Sequence, residues 1–323
     1  GNSLDNSAKG TLAATTAAAV NSGALNNDAG LIQSGGALTI DTDGKALINT
    51  NANGYRTTPE DAAGGITSAD TLTLMNVGDV DNAAGFIGAK NALVADTQAF
   101  SNTGGGMVLG QSTVAIDTHG AKYDNTGGQT LAVGNLGINA GTLTNTGGLI
   151  RSTATTTLGA GSVVNINTQG TEQGIEGQNV DIAAQSIVNT SGAIRADQNT
   201  TLSSSGNIDN SAGLVSAGDT LTIRDPGAAK TLSVRNTGGT LVGGKNVVLD
   251  AGSVTWDGKL LSLGDMTLAV TEDITFAAGS ETVANHNLTI STTGDITNGG
   301  RLAAGNDLTL SAKDIDNTAT GDI

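Results

Sequence analysis

Residues 208–223 read "IDNSAGLVSAGDTLTI", and the chain repeats this phrase with small changes elsewhere. Residues 25–40 give "LNNDAGLIQSGGALTI", residues 80–95 "VDNAAGFIGAKNALVA" and residues 296–310 "ITNGGRLAAGNDLTL". A catalytic site has to be made once; repetition of this kind makes a shape. The endings "ALTI", "TLTL", "NLTI" and "DLTL" alternate apolar residues with Thr, which is the period of a strand with one buried face. Leu221 and Ile223 then point inward and Thr222 outward. No window carries the spacing of an amphipathic helix, so helical repeats fit badly.

Each phrase opens on apolar–x–Asn. Counting weaker copies near residue 165, at Val254 and at Ile274, fifteen starts lie between Leu4 and Ile315, about 22 residues apart. A period of that length, sustained over the chain, means a solenoid. The expected fold is all-β, a right-handed parallel β-helix of about 14–15 coils, because a left-handed hexapeptide helix keeps a stricter count. In such a stack, equivalent positions form columns. Asn6, Asn27, Asn49, Asn82, Asn102, Asn125, Asn145, Asn189, Asn210, Asn236, Asn298 and Asn317 are expected to form a ladder of amides at a corner. The Gly that follows, as at Gly30, Gly85, Gly192 and Gly213, is expected to supply a positive φ there. Trp256 and Phe276 take the ladder position in two successive coils.

Composition narrows the functions. Gly supplies 48 of 323 residues, aromatics only 2%, and Pro two, so the core is made of small aliphatic side chains. Net charge is −16, from 30 acidic against 14 basic residues, which excludes the basic footprint of a nucleic-acid binder. Absence of cysteine excludes disulfide frameworks and thiol chemistry. No apolar run approaches the ~18 residues of a membrane helix. The chain opens on Gly, and "IDNTATGDI" at its end restarts the repeat and stops within it, as a piece of a longer protein would.

The phrases "LTNTGGLIRS", "IDNSAGLVSAGDTLTI" and "ITNGGRLAAGNDLTL" resemble filamentous-haemagglutinin-type repeats along essentially the whole chain. Such repeats occur in exoproteins of two-partner secretion, among them large adhesins and contact-dependent growth inhibition proteins. The resemblance implies a β-helical filament exported through an outer-membrane transporter to the surface of a Gram-negative bacterium. It implies no cofactor.

Candidate chemistry is sparse. His119 and His286 lie too far apart for a shared metal or triad and read as polar turn or outward strand residues. Asp41, Asp43, Asp117 and Asp181 do not fall in neighbouring register, and Glu172 and Glu176 read as solvated loop charge. A polysaccharide-degrading β-helix enzyme, which needs paired acids on adjacent coils, is therefore the weakest reading; no catalytic or metal-ligating residue is assigned. Contact with a receptor or glycan is better placed on irregularities. One is the insertion near 51–65, where Tyr55 and Arg56 concentrate an aromatic and a cation; another is the excursion near 224–233. Trp256 and Phe276 offer either an exposed aromatic patch or a stack of rings in place of amides. The chain is otherwise expected to be one repeat region, residues 1–323.

Overall fold

In a computed structural model that describes residues 1–52 and 64–323, the chain is a parallel β-solenoid of about 14 turns, some 21 residues apart, with no helix among the described residues. Contacts divide it into two compact units, residues 1–161 and 162–323.

In the first unit most coils have three extended pieces, as in Leu25–Asn26, Leu31–Ser34 and Leu38–Asp41, while Leu136–Thr144 runs two of them together. Each piece pairs in parallel with its equivalent one coil on: Leu25 with Leu47, Ile32 with Ile66, Leu38 with Leu72. Stacking at the ~4.8 Å strand spacing turns each inward position into a buried column. One column runs Leu25, Leu47, Val80, Phe100, Tyr123, Leu143; another runs Ile32, Ile66, Ile87, Val108, Thr130, Ile150. Burying each aliphatic side chain stabilises the coil by about 1.5–3 kcal/mol. Because every column is one residue wide, its members must be of similar size or stack well. Phe100 and Tyr123 do so, with ring centroids 5.4 Å apart and planes tilted by 47°.

The second unit repeats the plan. Its inward positions include Ile175, Ile194, Val215, Leu241 and Leu260, all fully buried. Leu221 and Ile223 are buried and Thr222 is half-exposed, as the alternation requires. Asn179–Val188 and Thr200–Asp209 are ten residues each, long enough to absorb the turn that separates two pieces in other coils. A register shift between Ala184 and Ser186 takes up the misfit.

The corner after each ladder Asn differs from the expectation in one respect. Positive φ falls one residue before the glycines named above: Ala29 (51°), Ala84 (49°), Ser191 (49°) and Ala212 (51°). Gly30, Gly85, Gly192 and Gly213 serve a close approach instead. A Cβ on Gly85 would lie 1.9 Å from the carbonyl oxygen of Asn49, and one on Gly30 2.1 Å from that of Asn6. The coil spacing brings a neighbour's carbonyl onto the Cα, and only Gly leaves room.

The excursion between Thr220–Arg224 and Ser233–Asn236 closes on a buried carboxylate. Gly227 N and Leu232 N each donate to Asp225 at 2.7 Å, and Lys230 Nζ donates to Asp225 O at 3.2 Å and Asp250 Oδ2 at 2.5 Å. Burial alone would raise the Asp225 pKa. Backbone N–H groups of Gly227, Leu232 and Thr231, with Lys230, outweigh it and hold the carboxyl below its ordinary value.

Candidate functional site

The repeated Asn is the most elaborate polar feature of the molecule. In the first unit Asn6 Nδ2 donates to Asn27 Oδ1, Asn27 to Asn49, Asn49 to Asn82 and Asn82 to Asn102, each at 2.7 Å. Asn102 donates to Asn125 and Asn125 to Asn145 at 2.8 Å. The Asn49 link is unbroken although 33 residues separate the partners, so the insertion near 51–65 leaves the column continuous. Each amide also reaches corner carbonyls; Asn49 Nδ2, for instance, lies 2.9 Å from Phe86 O. Apart from Asn6, at 6%, the first unit's ladder side chains are wholly buried, so the ladder satisfies polar groups that would otherwise cost about 1–3 kcal/mol apiece.

In the second unit Asn165 donates to Asn189 at 2.7 Å. Asn165 was not among the named ladder positions, though Val163-Val164-Asn165 carries the apolar–x–Asn signal. Asn189 donates to Asn210 and Asn210 to Asn236 at 2.7 and 2.8 Å. There the amides stop. Asn236 pairs in register with Trp256, Trp256 with Phe276 and Phe276 with Asn298. Asn298 then donates to Asn317 at 2.9 Å. Both rings are 1% exposed, so they are core and present no aromatic patch at the surface. Paired in register, the two side chains fill the inward side of the corner where other coils place an amide.

Tyr55 and Arg56 lie outside the described residues. Glu176 belongs to the strand Gly174–Gly177, not to a loop, and pairs with Arg195 of the next coil at 3.0 Å. Its neighbours along the chain explain the difference: "GIEG" is short and bounded by Gly, and its partner lies 19 residues on. His286 is an exposed turn residue. His119 sits in a turn at φ 50°, with Nε2 2.5 Å from Asp96 Oδ1 and its backbone N donating to Asp117 Oδ1 at 2.8 Å. The hydrogen bond to Asp96, then the charges of Asp117 and Asp96, raise its pKa. These groups flank a groove of about 510 Å³ on the outer face of the first unit. Val94, Ala115 and Gly137 form its floor in register, and Asp96, Asp117 and Asn139 run alongside. Among the described residues no cluster of three or more His, Asp or Glu converges to hold a metal ion.

A column of stacked amides, repeated from coil to coil in each unit, defines a repeat protein whose surface is set by its repeat and not by one constellation. The chain belongs to the haemagglutinin repeat family: the sequence model of that repeat matches residues 1–53, 46–105, 108–171, 175–225 and 212–323. It is also similar to a protein named deoxyribonuclease CdiA from Dickeya dadantii (strain 3937), 28% identical over 283 residues. That alignment covers 80% of this chain and 8% of the relative, so the chain spans a small part of the relative's length. No solved structure matches it. Repeats and relative together make the chain a structural shaft segment of a secreted or cell-surface, adhesin-like filament.

Proposed function

We propose that this segment holds an adhesive or toxin domain at a fixed distance from a Gram-negative producing cell, and that its parent is exported by two-partner secretion through an outer-membrane transporter. The observation that supports the reading is the ladder. Amides stacked at 2.7–2.8 Å through seven coils of the first unit, over columns of close-fitting aliphatics, resist shear between coils. A member of this family that works as a spacer needs that resistance and no converging catalytic groups. The test is to delete whole coils from the segment within its parent filament. Reach should fall by about 4.8 Å per coil, while the distal domain, assayed in solution, keeps its activity. Unchanged reach would sink the spacer reading. Deleting the transporter should abolish surface display.

A second reading, contact with a receptor or glycan, is favoured by the groove beside Asp96, Asp117 and His119. We also propose Tyr55 and Arg56 as contact residues. Saturable binding of labelled chain to target cells, lost on Tyr55→Ala with Arg56→Ala or on Asp96→Ala with His119→Ala, would favour this reading over a bare spacer. Absence of binding by the folded chain would exclude it.

A further inference from the structure

The second unit contains one join unlike its neighbours. Between Ser233–Asn236 and Ser253–Trp256 four residues pair in register, and between Ile274–Phe276 and Ile296–Asn298 three do. Between Ser253–Trp256 and Ile274–Phe276 a single pair remains, Trp256 with Phe276. The amide ladder is interrupted across this join and the one on either side of it, since Asn236 meets Trp256 and Phe276 meets Asn298. A cleft of about 320 Å³ opens on the outer face here, lined by residues that include Val254, Thr255, Trp256, Asp257, Asp273 and Thr275. Val254, at 9% exposure, is the least covered of the buried apolar residues.

Unsatisfied polar atoms gather at this place too. Among the described residues, four buried side-chain polar atoms have no hydrogen-bond partner, and three of them are Trp256 Nε1, Ser280 Oγ and Thr282 Oγ1. An equivalent coil of the first unit shows what is missing. There Thr130 Oγ1 donates to the ladder amide of its own coil, Asn125 Oδ1, at 3.0 Å. Asn102 of the preceding coil also reaches Thr130 Oγ1, at 3.5 Å. Thr282 holds the second position of its strand, as Thr130 does, in a coil whose ladder position is Phe276 and whose preceding coil has Trp256 there, in place of two amides. Neither ring offers it an acceptor, and the indole N–H finds none in return.

We infer that the strand pair Ser253–Trp256 and Ile274–Phe276 is a built-in seam, an interior place that opens under load or denaturant before the fully paired strands of the same two coils, Lys259–Ser262 with Glu281–Ala284 and Met266–Val270 with Leu288–Thr292. Local opening follows the weakest set of paired backbone and satisfied polar groups, and both are depleted here together. The rings keep the seam dry and closed at rest; they do not tie one coil to the next as an amide chain does. The seam does not depend on the spacer reading, since it is a property of the folded segment.

Hydrogen exchange on the full chain tests it. Amides of residues 253–257 and 274–277 should exchange about tenfold or more faster than those of Lys259–Ser262, Glu281–Ala284, Met266–Val270 and Leu288–Thr292. Trp256→Asn combined with Phe276→Asn, which completes the ladder, should bring the two sets together. Equal or slower exchange at the seam in the unaltered chain overturns the inference, as does a folded double variant with no slowing. Should that variant fail to fold, the unaltered chain still decides. Trp256 is its single tryptophan, so its emission should shift to the red at lower denaturant than the loss of β-sheet circular dichroism. Coincident transitions would overturn the seam.

Discussion

The Tyr123 hydroxyl lies 2.6 Å from Thr130 Oγ1, and both side chains are wholly buried in columns that are otherwise apolar. Thr130 in turn donates to Asn125 Oδ1, so two intrusive hydroxyls are tied to the amide ladder. Their one-way order, Tyr123 to Thr130 to Asn125, sets the expected costs. Tyr123→Phe leaves Thr130 its acceptor and should destabilise by about 1 kcal/mol. Thr130→Val strands a buried phenol and should cost about 2–3 kcal/mol. The double variant should be no worse than Thr130→Val alone, by denaturant midpoint.

Burial also pushes the Tyr123 pKa above the ordinary tyrosine value, with the Thr130 hydrogen bond opposing it and Asp124 adding to it. The folded phenol therefore stays protonated where the unfolded one ionises. Stability from this group is complete below about pH 10 and falls as pH rises beyond it. Tyr123→Phe should flatten that alkaline loss in urea titrations; an unchanged slope would count against it.

Adjacent corner residues should respond with opposite sign. Ala84 has φ 49°, the left-handed region, so Ala84→Gly should stabilise by up to about 1 kcal/mol. Gly85→Ala puts a methyl 1.9 Å from a main-chain carbonyl of the neighbouring coil. Backbone cannot swing aside as a side chain can, so a loss of about 3 kcal/mol or more is expected. Thermal midpoints of the two variants decide the matter, and a shift of the same sign in both would refute this account of the corner.

The inward and outward faces are legible in the sequence because strand period repeats in each coil, and Leu221, Thr222 and Ile223 alternate as written. The apolar–x–Asn phrase likewise marks where amides stack, and even Asn165 carries it. What was not legible depends on the neighbouring coil. A local reading of "DAGL" or "AAGF" shows that the corner needs a permissive residue. It does not show that Asn6 O and Asn49 O lie against the second of the pair, because that contact crosses about twenty or more residues of chain. Trp256 and Phe276 illustrate the same limit: their register could be counted, while the side of the wall they occupy follows from packing.

A ladder amide differs from a carboxylate by one donor, and that donor should decide stability. Asn210 accepts from Asn189 and donates to Asn236, with no exposure to solvent. Asn210→Asp places a buried charge against the Asn236 oxygen, and should destabilise by several kcal/mol near pH 7. The protonated acid regains a donor, so the introduced group has a raised pKa and stability should return as pH falls through it. Asn210→Ala, lacking both groups, should show no such recovery. Asn287→Ala, on an exposed face where the side chain donates to Asp265 at 3.0 Å, should cost under about 0.5 kcal/mol.

The excursion at 224–233 should be held by Asp225, its one acidic residue. Its carboxyl receives the Gly227 and Leu232 amides, and Lys230 is tied to Asp225 O and Asp250. Asp225→Ala leaves two backbone donors without acceptors and frees the loop, so trypsin should cut after Lys230 several-fold faster while the rest of the chain stays resistant. The folded pKa lies below the ordinary carboxylate value. The stabilisation is therefore present above about pH 4 and is lost as pH falls through the lower, folded value. Pepsin should accordingly begin to nick this loop only in that acid range in the unaltered chain, and without that threshold in Asp225→Ala. Equal cleavage of the two proteins across the range would mean that another contact holds the loop.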